Sequence, residues 1–259
     1  MKQGTFSEMK DEFGTYPYSC VSLSATLECK MLIKINQIAS ANSIRGQYYS
    51  YSSKSLDGTR TNEVSSNAKT QLDKWYAANI VGQSDDDGNL LTKYMVDATF
   101  CNDRSITDKT FNSGYRIDKK TFFAPYSRLN FSNKTATLKC SSDVRNQFST
   151  TNTYGNGKLT YPVGLITVDE IALAGGKYGT KNENYYLRTN GYYWTMTPSF
   201  FNSDLIQTLV WCVYPSGLLS SGTNSSSFLG LRAVISIRND VLISSGDGSI
   251  DAPYHLTIQ

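Results

Sequence analysis

Histidine is nearly missing from this sequence of 259 residues: His255 is the single one. A histidine-rich metal site is therefore impossible. No G-x-S-x-G accompanies that histidine, which argues against a Ser–His–Asp hydrolase. C-x-x-C is absent as well, and with it zinc ribbons and thioredoxin-type redox sites. Neither G-x-x-x-x-G-K-[ST] nor G-x-G-x-x-G occurs, so no phosphate-cradling loop is expected. Basic residues never run longer than a pair, and 25 Lys and Arg stand against 22 Asp and Glu for a net charge of +3. A clustered basic footprint for nucleic acid is thus lacking. Apolar runs fall well short of the roughly 18–20 residues needed to cross a bilayer, so no membrane insertion is expected. The opening "MKQGTFSEMKDEFGTYPYSC" lacks an apolar core and is expected not to be a signal peptide.

Aromatic and small polar residues are abundant instead, with 18 Tyr among them. This profile resembles extracellular or virion β-rich domains, and the length suffices for a substantial core. The five cysteines are an odd set. Cys20 and Cys29 flank "VSLSATLE", and Cys101 and Cys140 bracket a polar stretch with little apolar material to hold it down. Two bridges, Cys101–Cys140 and Cys20–Cys29, with Cys212 as a buried thiol, are expected in an oxidising compartment. The alternative is five reduced cysteines packed as small hydrophobes.

Residues 1–45 read as an irregular N-terminal segment, with a strand at Met31–Ile35. "SSNAKTQLDKWYAANI" carries Ala68, Leu72, Trp75, Tyr76 and Ile80 at helical spacing, with Ser65 or Ser66 as N-cap. In "SDDDGNL", Asp85, Asp87 and Asn89 alternate like the start of an EF-hand. Gly88 comes too early for that loop and no glutamate closes it, so a solvated turn is the reading. Asp103 and Arg104 suggest a local ion pair at a strand end. Short strands are expected at Lys120–Ala124 and Ala136–Cys140. In "YPVGLITVDEIALAGGKYG", Thr167 and Glu170 form a capping box, and Gly175-Gly176 a stop. Asp169 and Glu170 are adjacent on that helix and do not face each other, which makes them structural rather than a catalytic pair.

Further strands are expected at Tyr192–Thr197, Thr208–Tyr214, Leu231–Arg238 and Tyr254–Ile258. "PSFFNSD" and "PSGLLSSGTNSSSF" read as the turns between them. Alternation in "GLRAVISIRND" sets Leu231, Ala233, Ile235 and Ile237 on one face, with Arg232, Ser236 and Arg238 on the other. The aromatic-rich "GYYWTMTPSFFNSDLIQTLVWCVYPSG" has only Asp204 as a charge. Trp194 and Met196 fit the core. Phe200, Phe201, Tyr214 and Asn224 fall at strand ends or loops, where rigid rings interleaved with Ser, Asn and Gly give a paratope-like composition.

Taken in order, "LDKWYAANI", "YMVDATFCNDRSI", "GNGKLTYPVGLITVDEIALAGG", "YYWTMTPSFFN" and "GLRAVISIRNDVLISSGDGSIDAPY" resemble the C-type-lectin-like domains of Gram-positive bacterial surface proteins and phage-encoded proteins. Those are distant relatives of formylglycine-generating enzymes and retroelement variable proteins. The resemblance covers roughly Gln47 to Gln259, setting a domain at 46–259 after the segment 1–45. It implies an α+β, C-type-lectin-like fold: two helices on a small twisted antiparallel sheet, with long loops on one side. It also implies that the segment between Trp194 and Arg232 faces a ligand. Calcium-dependent sugar motifs (Glu-Pro-Asn, Gln-Pro-Asp, Trp-Asn-Asp) are missing, and Cys212 stands without the second cysteine that formylglycine generation needs.

The expectation is a non-enzymatic recognition module on a cell surface or virion, without metal or cofactor. Its partner is a protein or glycan on another cell or particle, bound through Tyr193, Phe200, Phe201, Asn202, Asp204, Trp211, Tyr214 and Asn224. Oligomerisation is compatible with this. The alternatives are a structural spike, fibre or pilin-tip component and, further off, a formylglycine-generating-type enzyme using Cys212.

Overall fold

The computed structural model describes residues 18–23, 26–33, 62, 66–85, 87–106, 120–130, 135–185, 187–202, 204–205, 207–224, 229–246 and 255–259. Strands dominate and helices are few, which makes the chain α+β. The segment expected to be irregular holds two strands, β1 (Tyr18–Leu23) and β2 (Thr26–Ile33). Their antiparallel register sets Cys20 opposite Cys29. Directly opposed Cα atoms in such a ladder lie about 4.5–5.5 Å apart, within the span a disulfide bridges.

Helix α1 (Asn67–Asn79) begins at Ser66, whose side chain accepts the Lys69 N–H at 3.0 Å. Its buried stripe is Ala68, Leu72, Trp75 and Tyr76, continued by Ile80, as the helical spacing requires. Then come β3 (Met95–Val96), β4 (Phe100–Cys101), β5 (Lys120–Phe122), α2 (Ala124–Asn130), β6 (Gln147–Phe148) and β7 (Val163–Gly164). Helix α3 (Val168–Leu173) carries the full Thr167–Glu170 capping box. It stops at Gly175, which adopts φ +92° where a side chain would strain the backbone. The remaining strands are β8 (Lys177–Tyr178), β9 (Tyr193–Asn202), β10 (Gln207–Val213), β11 (Leu218–Asn224), β12 (Ala233–Ile237), β13 (Val241–Ser245) and β14 (His255–Ile258).

Two five-stranded sheets organise these elements. One runs β1-β2-β12-β3, with β7 also on β12; the other runs β5-β9-β10-β11-β8. Two-stranded ribbons, β13–β14 and β4–β6, complete the set. The main core gathers Trp194, Trp211, Leu165, Ile171, Leu187 and Ile235, all essentially without exposure.

Several expectations change against this frame. β9 continues through "PSFFN", read above as a turn, because a register shift next to Val210, the partner of Pro198, accommodates a residue with no N–H to donate. "PSGLLSSGTNSSSF" is not all loop either. β10 supplies the backbone partners for β11, so Ser, Thr and Gly serve there as strand residues and Leu219 is buried. Alternation on β12 does not separate core from solvent. β2 flanks it on one side and β3 and β7 on the other, all five of its residues are buried, and so is Arg232; Arg238 alone of the polar set is exposed. Ala136–Cys140 is irregular rather than a strand. The Cys101–Cys140 bridge forms, with the Cα atoms 5.2 Å apart.

Candidate ligand-binding face

Cross-strand register builds the site. Phe122 of β5 faces Phe200 of β9, which faces Leu209 of β10; the adjacent row is Thr121, Phe201 and Thr208. Successive strand residues point to opposite faces. Phe201 is accordingly buried with Phe123 in a small second core, while Phe122 and Phe200 are half-buried on the other side.

The chain leaves β5 directly into α2, and this places the Tyr126 ring on Phe122 at 4.1 Å, nearly parallel at 11°. Phe122 also meets Phe200 at 4.8 Å. Tyr178, from the far edge strand β8, approaches Tyr126 at 6.0 Å edge-on. Buried Trp211 backs the series, 5.9 Å from Tyr126 and 5.2 Å from Tyr178. Four half-buried rings in mutual contact thus extend across the sheet: Phe200, Phe122, Tyr126 and Tyr178. Polar groups border them: Ser221 Oγ donates to Tyr178 Oη at 3.2 Å, and Lys120 pairs with Asp204 at 3.4 Å.

Of the residues expected to bind, Phe200 lies on this face and exposed Asp204 at its border. Phe201 and Trp211 are core, since β9 alternation and the depth of β10 turn them inward. Asn202 is buried, and its side-chain oxygen accepts the Asp204 N–H at 3.0 Å, capping the β9–β10 turn. Tyr193 is buried at the other end of β9, its hydroxyl donating to the Leu187 carbonyl at 3.1 Å. Tyr214 is half-buried at that same end, 4.6 Å from the more exposed Tyr192. At roughly 3.3 Å per residue, the two ends of β9 are on the order of 30 Å apart. The eight residues therefore do not form one site. Asn224 ends β11 with Leu209 as its Cα partner. Phe122, Tyr126 and Tyr178 were missed; the aromatic "TFFAPY" run was the signal for the first two.

An ion cluster anchors α2 beside the face. Arg128 Nη1 donates to Asp103 at 2.6 Å and its Nε to Asp169 at 2.9 Å, with Nη2 also on Asp169. Burial opposes the charge on Arg128, but Asp169 and then Asp103 outweigh it and its pKa is raised. Thr137 donates its backbone N–H to Asp169 at 3.0 Å. The expected Asp103–Arg104 pair does not form: Arg104 turns into a buried polar cluster, bonding Asn62 at 2.7 Å and Asn146 at 3.3 Å. Glu170 accepts from Thr167 in its capping box, so neighbouring Asp169 and Glu170 serve separate structural duties.

Asp85 accepts the N–H groups of Asp87 at 3.0 Å and Asn89 at 2.8 Å, and the Tyr94 hydroxyl. The Tyr94 bond contributes most to lowering its pKa. Among the described residues no cluster of three His, Cys, Asp or Glu has metal-holding geometry.

Cys212 is fully buried, 2.9 Å from the Thr223 hydroxyl. Burial pushes its thiol up to about 11, with the Thr223 bond acting the other way. A thiol so placed is protonated at neutral pH and a poor nucleophile. Iodoacetamide at pH 8 is expected to spare Cys212 in the native protein and alkylate it once urea unfolds the chain. Rapid native labelling, read by peptide mass, would refute this and return Cys212 to consideration as a reactive residue.

Comparison with protein-family models, with curated proteins and with solved structures finds no match to this chain.

Proposed function

We propose that this chain is a non-enzymatic recognition module, displayed on a cell surface or virion, with a C-type-lectin-like arrangement of its α+β elements. It binds a protein or glycan of another cell or particle through the ring series Phe200, Phe122, Tyr126 and Tyr178. The supporting observation is that these rings contact one another yet remain half-buried, with a charged pair and hydroxyls at their border. Rigid amphipathic rings give large contact area at low entropic cost. The protonated state of Cys212 weighs against formylglycine-type chemistry. A second bridge, Cys20–Cys29, belongs to the same extracellular reading, and the β1–β2 register supports it.

Phe200→Ala combined with Tyr126→Ala is expected to lower binding on a glycan array or in a protein pull-down at least tenfold. Near-ultraviolet circular dichroism should still report a folded core. Undiminished binding would move the site to the far end of β9, where Tyr214→Ala tests the Tyr192–Tyr214 pair.

The β13–β14 ribbon favours a second reading. Ile243 is 48% exposed there and the ribbon pairs with no other strand among the described residues. A spike, fibre or pilin-tip subunit would use such a ribbon against a neighbouring copy. Light scattering that finds a monomer at micromolar concentration counts against it.

A further inference from the structure

Half of the ring series lies between the two ends of a covalent bridge. Cys101 and Cys140 close a stretch containing Lys120, Phe122, Tyr126 and Arg128. Phe123 and Leu129 seat part of this stretch in the core, while its regular structure is short. Among the described residues β5 pairs with β9 alone, Phe123 just after it bridges to Ile106, α2 has seven residues, and residues 135–140 carry no regular structure. Backbone bonds from Phe123 to Ser199 and from Ala124 to Ser105 hold the junction of β5 and α2. Farther along α2, Arg128 grips Asp103 and Asp169.

Both sides of that grip adjoin the bridge. Asp103 is two residues beyond Cys101. Thr137, three residues before Cys140, donates to the Asp169 carboxylate that Arg128 also binds. Displacing the Cys101 end therefore shifts a partner of Arg128, and displacing the Cys140 end shifts a donor to the carboxylate that Arg128 binds. The two cysteines are half-buried, which leaves the bond open to a small thiol.

We propose that Cys101–Cys140 is a thiol-sensitive clasp that holds α2, and with it Tyr126, against Phe122 and Phe200. Opening it loosens residues 120–130 while the core stays folded. The reductant is a low-molecular-weight monothiol. Its thiolate attacks one cysteine sulfur, the S–S bond breaks, and the other cysteine departs as a thiolate and takes up a proton. A second monothiol attacks the resulting mixed disulfide, releasing the first cysteine and the oxidised dimer of the reductant. Two thiols thereby supply two electrons and two protons. The consequence for binding rests on the recognition function proposed above; the ordering of α2 does not.

Hydrogen exchange of the full-length chain tests the clasp, comparing the oxidised protein with Cys140→Ser and with a Cys20→Ser/Cys29→Ser variant treated with glutathione. Amides in 120–130 are expected to exchange at least tenfold faster once the bridge is open, with α1 and β9–β10 unchanged. Unaltered exchange in 120–130 overturns the clasp, as does equal acceleration throughout the chain. Should Cys140→Ser fail to fold, the glutathione-treated variant decides by the same criterion. A glycan array and a protein pull-down run on both redox forms separate the two ideas. Full binding by the reduced form overturns the clasp's control of the face, whereas no binding by the oxidised form counts against recognition and leaves the exchange result standing.

Discussion

Asp169→Ala is expected to lower the stability of the chain by about 3 kcal/mol, the low end of the range for removing one partner of a buried ion pair. The lower end applies because the Arg128 side chain keeps 19% of its exposure, against 7% for Asp169. Arg128 loses the acceptor of its Nε and Nη2, keeping only Asp103 on Nη1, and the Thr137 backbone N–H loses its acceptor at the same time. Asp169 also occupies the first turn of α3, where a carboxylate favours the helix. A double change, Arg128→Met with Asp169→Leu, should cost less than Asp169→Ala alone, since it leaves no guanidinium buried with half its partners, and the Asp103 carboxylate it orphans is 21% exposed and open to water. Urea unfolding of Asp169→Ala, of Arg128→Met and of the double change measures both statements. A double change as costly as the two single losses together would mean that water already solvates the pair and that the cluster does little to fix α2.

Trp194→Ala should be the more damaging of two aromatic truncations on one strand. Trp194 has no exposure, lies opposite Cys212 and is among the largest buried side chains. Emptying that volume is expected to cost about 3–5 kcal/mol, because the surrounding sheet and helices close the cavity only in part. Phe200, half-buried on the same strand, should cost only about 1 kcal/mol by the area it removes from water. The two effects on thermal unfolding should therefore differ several-fold while their effects on binding run the other way. Equal destabilisation would show that Phe200 is core, and would remove it from the proposed face.

Local signals carried α1 and α3 but not α2, whose first residue, Ala124, reads in the sequence as the end of a strand. Ser66 caps α1 and Thr167 boxes α3 because short-range hydrogen bonds settle helix ends whatever surrounds them. Long-range pairing was harder to read. Nothing within "SGTNSS" marks β11; the strand exists because β10 offers it a ladder. Arg232 and Ser236 looked solvent-facing by alternation, but a strand covered on both faces buries its polar positions too. The candidate face was half legible. Phe200 stood out in its own stretch, whereas Phe122, Tyr126 and Tyr178 join it only through the strand order β5-β9-β10-β11-β8. Aromatic content alone could not separate Phe200 from Phe201, because a single peptide step decides which side of the sheet each ring takes.

That single step imposes a parity rule on the length of the chain between Pro198 and Asn202. Phe200 and Phe122 share one side of the sheet, Phe201 and Phe123 pack together on the other, and the register joins both rows. One inserted residue would exchange the sides of every ring that follows it, turning the proposed binding row inward and the core row out. Natural length changes in this stretch should accordingly come as pairs of residues, or beside the existing bulge at Val210, where an odd residue can be absorbed without inverting the strand.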